Sequence, residues 1–255
     1  MLFTHTTFIG IDPTAGVRPF TYTALNNKLE LLALGQGNMD EVLAFVAGQR
    51  EAVVAVSSPS RPNQGIMRRS EVREWLSPPP RPGRWMNFRL AEYQLRQHNI
   101  NIPQTRSSET TCPGWMQKGF TLYKRLEELS YVPYPQENAA HQWIEVYPHA
   151  CYTTLLEHIP FTKHSLEGRI QRQLILFEEN LRVPDPMRIF EEITRHRMLT
   201  GVLSLENLYQ TEELEALVSA FTAQKAATQP DQVMVIGDPA EGQLTVPVPA
   251  LKTHY

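Results

Sequence analysis

Residues 7–12 read TFIGID, an apolar run that ends in a carboxylate and meets Pro13. Such a run predicts a buried strand with Asp12 at its tip, because Pro13 cannot donate to a ladder and stops the strand. After a turn containing Gly16, PFTYTALN at 19–26 alternates large and small residues as a second strand. Asn26-Asn27 then turns the chain into KLELLAL at 28–34, so the start reads as a three-stranded meander. Asn38 followed by Glu41 has the spacing of a capping box, and Met39, Val42, Leu43 and Val46 line one face of a helix to about Gly48. AVVAVS at 52–57 is a second core strand, halted at Ser58-Pro59.

Residues 59–106 differ in kind. They are rich in proline and arginine and carry no long apolar period, with Pro78-Pro79-Pro80 and Pro82-Gly83 extended or turning and helical patches near 66–76 and 88–98. Trp75, Trp85, Phe88 and Tyr93 make the stretch too aromatic for a linker, so it reads as an ordered insertion over a functional face. The charge is uneven as well. Nine arginines against Glu71, Glu74 and Glu92 give residues 61–106 a charge of +6, while seven acids against Lys225 give residues 205–242 a charge of −6. The formal total of −3 is a cancellation and does not exclude a polyanionic partner.

Beyond the insertion, Trp115, Leu122, Leu126 and Leu129 predict a helix over 115–129, and HQWIEVYP at 141–148 alternates as a strand. In that strand Ile144 and Val146 share one face, and Trp143 and Glu145 the other. Ser165 caps a helix with an apolar stripe from Leu166 to Leu181, and Thr211 caps a last helix built on Leu214, Leu217, Val218 and Phe221. The elements add up to one mixed α/β domain over 1–255, with the insertion at about 59–106 and further helical elaboration at 107–140 and 182–210.

Three carboxylates stand out. Asp12 at a strand end is either a ligand-facing acid or an Asp-Pro turn former. Glu145 inside a strand is paired, metal-bound or on a wet face. Glu215 flanks the apolar stripe of the last helix and either leans toward the sheet or stays solvated. Cys112 and Cys151 have no C-x-x-C spacing and read as buried free thiols of a reducing compartment. The opening MLFTHTTFIGID carries no basic leader, and no stretch approaches the roughly 20 apolar residues that span a bilayer, so a cytoplasmic protein without a membrane contact is expected. Gly-rich phosphate loops and a G-x-S-x-G elbow are both missing, which argues against those nucleotide-binding folds and against a serine hydrolase.

Seven segments in order resemble one family: TFIGID, AVVAVSSPSRPNQG, RRSEVREWL, PGWMQKGFTLYKRL, WIEVYPHACYTTLL, the K-x4-GRIQRQ segment from Lys163, and ELEALVSAFTA with GDPAEGQLTVPV. The resemblance is to the DUF429 family of predicted nucleases and runs from residue 8 to about 248. It implies a ribonuclease H-like fold, with a five-stranded mixed sheet ordered 3-2-1-4-5 and helices on both faces. It also implies a metal-dependent cleavage of phosphodiester bonds in nucleic acid, with Asp12, Glu145 and Glu215 as catalytic residues and as ligands of Mg²⁺ or Mn²⁺. Two hard cations about 4 Å apart stabilise both the attacking and the leaving oxygen in that chemistry.

This chain departs from the pattern at Ser57, where the family usually has Asp before x-Pro, and at Glu215, where Asp is usual. A neutral hydroxyl at 57 leaves the fourth strand without charge, so the alternative is a relative that binds nucleic acid or another anion without cutting it. The phosphate contacts expected in either case are Arg68 and Arg69 from the insertion, and Lys163, Arg169 and Arg172 from the K-x4-GRIQRQ segment.

Overall fold

The computed structural model describes residues 6–14, 17–76, 83–202 and 205–255. The expected turn at Gly16, the Pro78–Pro82 run and Arg81 fall outside the described residues.

The predicted meander forms as β1 (Thr7–Asp12), β2 (Phe20–Leu25) and β3 (Leu31–Gly37). The helix α1 (Met39–Ala47) follows, with Asn38 accepting from the Glu41 amide and the Glu41 side chain accepting from that of Asn38, as the spacing predicted. β4 (Ala52–Val56) returns parallel to β1. Among the described residues of the insertion only α2 (Ser70–Trp75) and α3 (Leu90–Gln97) are α-helical, shorter than the expected spans.

α4 (Gly114–Glu128) and the short β5 (Val132–Pro133) lead to β6 (His141–Glu145). The strand stops three residues before the expected end because Pro148 opens a helix, α5 (Pro148–Leu156). Then come α6 (Leu166–Glu178), capped by Ser165 as predicted, the short α7 (Arg188–Glu192) and α8 (Arg195–Thr200), and α9 (Thr211–Thr228). Gln210, not Thr211, is the N-cap of α9, and its amide donates to the Glu213 carboxylate at 2.6 Å. A hairpin of β7 (Met234–Asp238) and β8 (Gly242–Val246) closes the set.

The sheet is open and mixed, ordered β3-β2-β1-β4-β6-β8-β7, with β5 pairing the start of β6. Its first five strands have the expected 3-2-1-4-5 order. The expectation of five strands is corrected to eight: the short β5 pairs with β6, and β7 and β8, joined by the Pro239-Ala240-Glu241 turn, add to the β6 edge.

Two cores clamp the sheet. On one face Phe8, Val53, Ala55, Ile144 and Val146 pack against Leu214, Leu217, Val218 and Phe221 of α9. On the other, Ile9, Ile11, Val54, Val56 and Trp143 pack against α1 and α4. Each large apolar side chain buried this way contributes about 1.5–3 kcal/mol. Gly10 explains how closely α9 lies on the sheet: a Cβ there would sit 1.9 Å from the Ala216 carbonyl oxygen.

Candidate functional site

The parallel strands β1, β4 and β6 end at one edge, in the register Ile11–Val56–Glu145. Side chains alternate across a pleat, so the residue after Ile11 and the residue after Val56 both turn toward the α9 face. These are Asp12 and Ser57, and they meet. Ser57 Oγ donates to Asp12 Oδ1 at 2.7 Å, and the Ser57 amide donates to the Ile11 carbonyl at 2.9 Å. Asp12 is only 8% exposed.

The amino end of α9 brings acids to the same place. Glu215 stands one turn into the helix and pairs with Lys163, whose Nζ donates to its Oε1 at 2.7 Å. Glu212 pairs with Arg18 at 3.2 Å. Burial and the nearby Glu215 carboxylate push the Asp12 carboxyl up to about 7, against the Ser57 hydroxyl and the Lys163 ammonium, which favour its charged form. The acid is thus far easier to protonate than an ordinary carboxyl.

Asp12, Ser57, Glu212 and Glu215 line a cavity of ≈ 640 Å³, within the usual range for small-molecule sites. The same cavity is also lined by basic and aromatic side chains, Lys163 and Arg172 together with Trp115, Tyr147, His149 and Phe161. Burial and the charges of Arg172 and Lys163 press the His149 imidazole down to about 4, so it is neutral at pH 7. The 160–164 segment is held in place by α6, since Arg172 Nη1 donates to the carbonyls of Phe161 and Gly168 at 2.9 Å each. Gly168 lets the segment approach: a Cβ there would lie 1.9 Å from the Thr162 carbonyl oxygen.

Of the expected site residues, Asp12, Glu215, Lys163 and Arg172 therefore come together. Arg169 does not reach the cavity and instead donates to the carbonyls of Leu208 and Tyr209, anchoring the approach to α9. Arg68 and Arg69 are exposed outside the cavity, with Arg68 beside Asn87.

Glu145 is also placed elsewhere. It shares the parity of Trp143 and so faces α4, on the side of the sheet away from Asp12. There its carboxylate is ion-paired with Arg89 and accepts from the Ser60 amide at 2.8 Å. Arg89, 1% exposed, also binds Glu92 at 3.1 Å and the Glu241 carbonyl at 2.8 Å. Burial alone would depress the guanidinium, but the Glu145 and Glu92 carboxylates more than reverse that and hold it charged. Glu145 is therefore a structural partner that fastens the insertion to β6, and Arg89 is removed from the arginines available to a phosphate.

Sequence reading missed Arg18 and Phe161, which no periodicity marks, the cavity-lining place of Trp115, which it took as part of a helix stripe, and the amino end of α5. For the last, Pro148 after a strand was the available signal.

A divalent cation is the cofactor the resemblance implies. Among the described residues no group of three or more His, Cys, Asp and Glu side chains is placed to hold one. Two carboxylates facing one cavity, Asp12 and Glu215, fit a single Mg²⁺ or Mn²⁺ that takes its remaining oxygens from water and ligand. They do not fit a pair of cations, because Ser57 adds no charge and Glu145 faces away.

Among the described residues no helix is long and apolar enough to cross a membrane. No curated protein and no solved structure matches the chain. A family model described as "Protein of unknown function (DUF429)" matches residues 26–241, a span that holds Ser57, Glu145, Lys163 and Glu215 and begins after Asp12. With most of its length matched, the chain belongs to the DUF429 family.

Proposed function

We propose that this chain binds nucleic acid, or another phosphate-bearing anion, in the Asp12–Glu215 cavity without the two-cation cleavage expected of a nuclease. The observation that carries the reading is the Ser57–Asp12 hydrogen bond: a hydroxyl stands where a second charged oxygen ligand would be needed. The order β3-β2-β1-β4-β6 supports a ribonuclease H-like core extended by the β7–β8 hairpin. The buried free thiols Cys112 and Cys151 support a reducing, cytoplasmic setting.

In this reading Asp12 and Glu215 hold one Mg²⁺ or Mn²⁺. When bound, the cation neutralises phosphate oxygens and draws the ligand toward the strand ends. Lys163 neutralises Glu215 in the absence of ligand and, being 44% exposed, is free to turn its ammonium to a phosphate. Trp115 and Phe161 supply faces on which a base can stack. Ser57 holds Asp12 in one orientation and adds no charge.

A second reading, a slow one-cation nuclease, is favoured by the presence of Asp12 and Glu215 in one cavity. A Mn²⁺ cleavage assay on a DNA and RNA panel separates the two. Binding that weakens as salt rises, with no cleavage lost on Asp12→Ala, is the result expected of the binder. Cleavage abolished by Asp12→Ala makes the chain a nuclease and overturns it.

A further inference from the structure

Arg172 is the most unusual charge in the cavity. It is 3% exposed, yet no carboxylate lies within ion-pairing distance among the described residues. A buried guanidinium with no direct ion pair is costly, and burial lowers its hold on its proton, offset only in part by the Tyr152 side chain and the Glu215 charge. One nitrogen, Nη1, is committed to the Phe161 and Gly168 carbonyls. The three N–H groups on Nε and Nη2 have no acceptor among the described residues, although the side chain lines the cavity. The Tyr152 ring lies 5.4 Å from Cζ and steadies the guanidinium plane.

Facing the same space is the amino end of α5, nine residues long. Its N-cap, Tyr147, makes no side-chain cap, and Pro148 has no N–H to offer. The amides of His149 and Ala150 are consequently left without an acceptor among the described residues. A helix amino end carries partial positive charge and favours an anion. Neutral His149, also in the cavity wall, adds a ring N–H.

We propose that Arg172 and the open amino end of α5 form a phosphate-monoester subsite, so that the ligand is a nucleotide or a phosphorylated strand end. The argument is one of oxygen count. A guanidinium edge takes two oxygens side by side, and the helix amides take a third. A phosphate monoester presents three terminal oxygens, whereas an internal diester presents two. Trp115 and Phe161, which line the same cavity, suit the base of the same nucleotide. This rests on the proposed function in using its cavity, but it names the ligand and a set of contacts that the carboxylates do not make.

The test is calorimetric titration of the full chain, with Mn²⁺ present, by 5′-AMP, 3′-AMP, their methyl esters, adenosine and inorganic phosphate. At least one AMP isomer is expected to bind tenfold or more tightly than adenosine, its methyl ester and inorganic phosphate. Arg172→Lys, which keeps the charge and loses the fork, is expected to bring AMP down to the level of adenosine while Mn²⁺ binding stays. Arg172→Gln should do the same; the comparison of AMP with its ester uses the native chain and needs no variant. Equal binding of AMP and its ester overturns the monoester subsite, and phosphate binding as tightly as AMP overturns the nucleotide assignment. Absence of AMP binding with Mn²⁺ binding and oligonucleotide binding intact sinks this inference alone. Absence of Mn²⁺ and oligonucleotide binding as well sinks the proposed function with it.

Discussion

Ser57 Oγ lies 2.7 Å from Asp12 Oδ1, so the tip of β4 touches the tip of β1 through a neutral hydroxyl. Everything that the cavity can do with a cation follows from that contact. Ser57→Asp would place a second carboxylate against a buried first one. Without metal the variant is expected to lose about 1–3 kcal/mol of stability by like-charge repulsion and desolvation. With Mn²⁺ it should recover that loss and bind the ion at least tenfold more tightly than the native chain. Thermal melts with and without Mn²⁺ measure both; a variant that Mn²⁺ does not stabilise would show that the β4 tip does not face a cation.

Asp12 should also make stability depend on pH. In the folded chain its carboxyl holds a proton up to about pH 7, whereas the unfolded chain releases it near 3.8. Between those values the folded state binds more protons, so its contribution to stability is complete below about 3.8 and is lost as pH rises through 7. In chelator, Asp12→Asn is expected to be more stable than the native chain at pH 8 and to lose that advantage as pH falls to 4. Denaturant midpoints at the two pH values check this; a gap that does not change with pH contradicts it.

Much of this arrangement was legible in the chain. The β-branched runs at 7–12 and 52–57 and the Asn38–Glu41 box carry enough local signal to fix β1, β4 and α1. The alternation at 141–145 even separated Ile144 from Glu145. What it lacked was the register Ile11–Val56–Glu145, a long-range fact that decides which face of β6 opposes Asp12. Arg89 is a similar case. A charge count along 61–106 treats it as one of nine cations, while its partners Glu145 and Glu241 lie far along the chain. The β7–β8 hairpin was missed because its two strands are five residues each and their turn, Pro239-Ala240-Glu241, lacks an Asn-Gly signature.

The buried Arg89 network predicts a large stability effect with no effect on the cavity. Arg89→Met leaves Glu145 and Glu92 as uncompensated buried acids and is expected to cost about 3–5 kcal/mol. Glu145→Gln keeps the shape, so the folded fraction that remains should bind Mn²⁺ like the native chain. Loss of Mn²⁺ binding in folded Glu145→Gln, followed by circular dichroism and titration together, would return Glu145 to the ligand set.

Gly10 sets the distance between Asp12 and the acids of α9. Gly10→Ala would drive a methyl group into the Ala216 and Ala220 backbone, at 1.9 Å and 2.6 Å. The helix must then move outward, at a cost of about 1–3 kcal/mol or more. Glu215 moves with it, so Mn²⁺ affinity should fall even in the folded variant. Unchanged stability in a urea titration would show that α9 does not rest on β1 as described.

The most direct measurement is the number of Mn²⁺ ions bound per chain, read from the free-ion electron paramagnetic resonance signal at neutral pH. One ion per chain is predicted, lost in Asp12→Asn and in Glu215→Gln and kept in Glu145→Gln. Two ions per native chain, or one ion that survives Asp12→Asn, would contradict a cavity built around a single cation between Asp12 and Glu215.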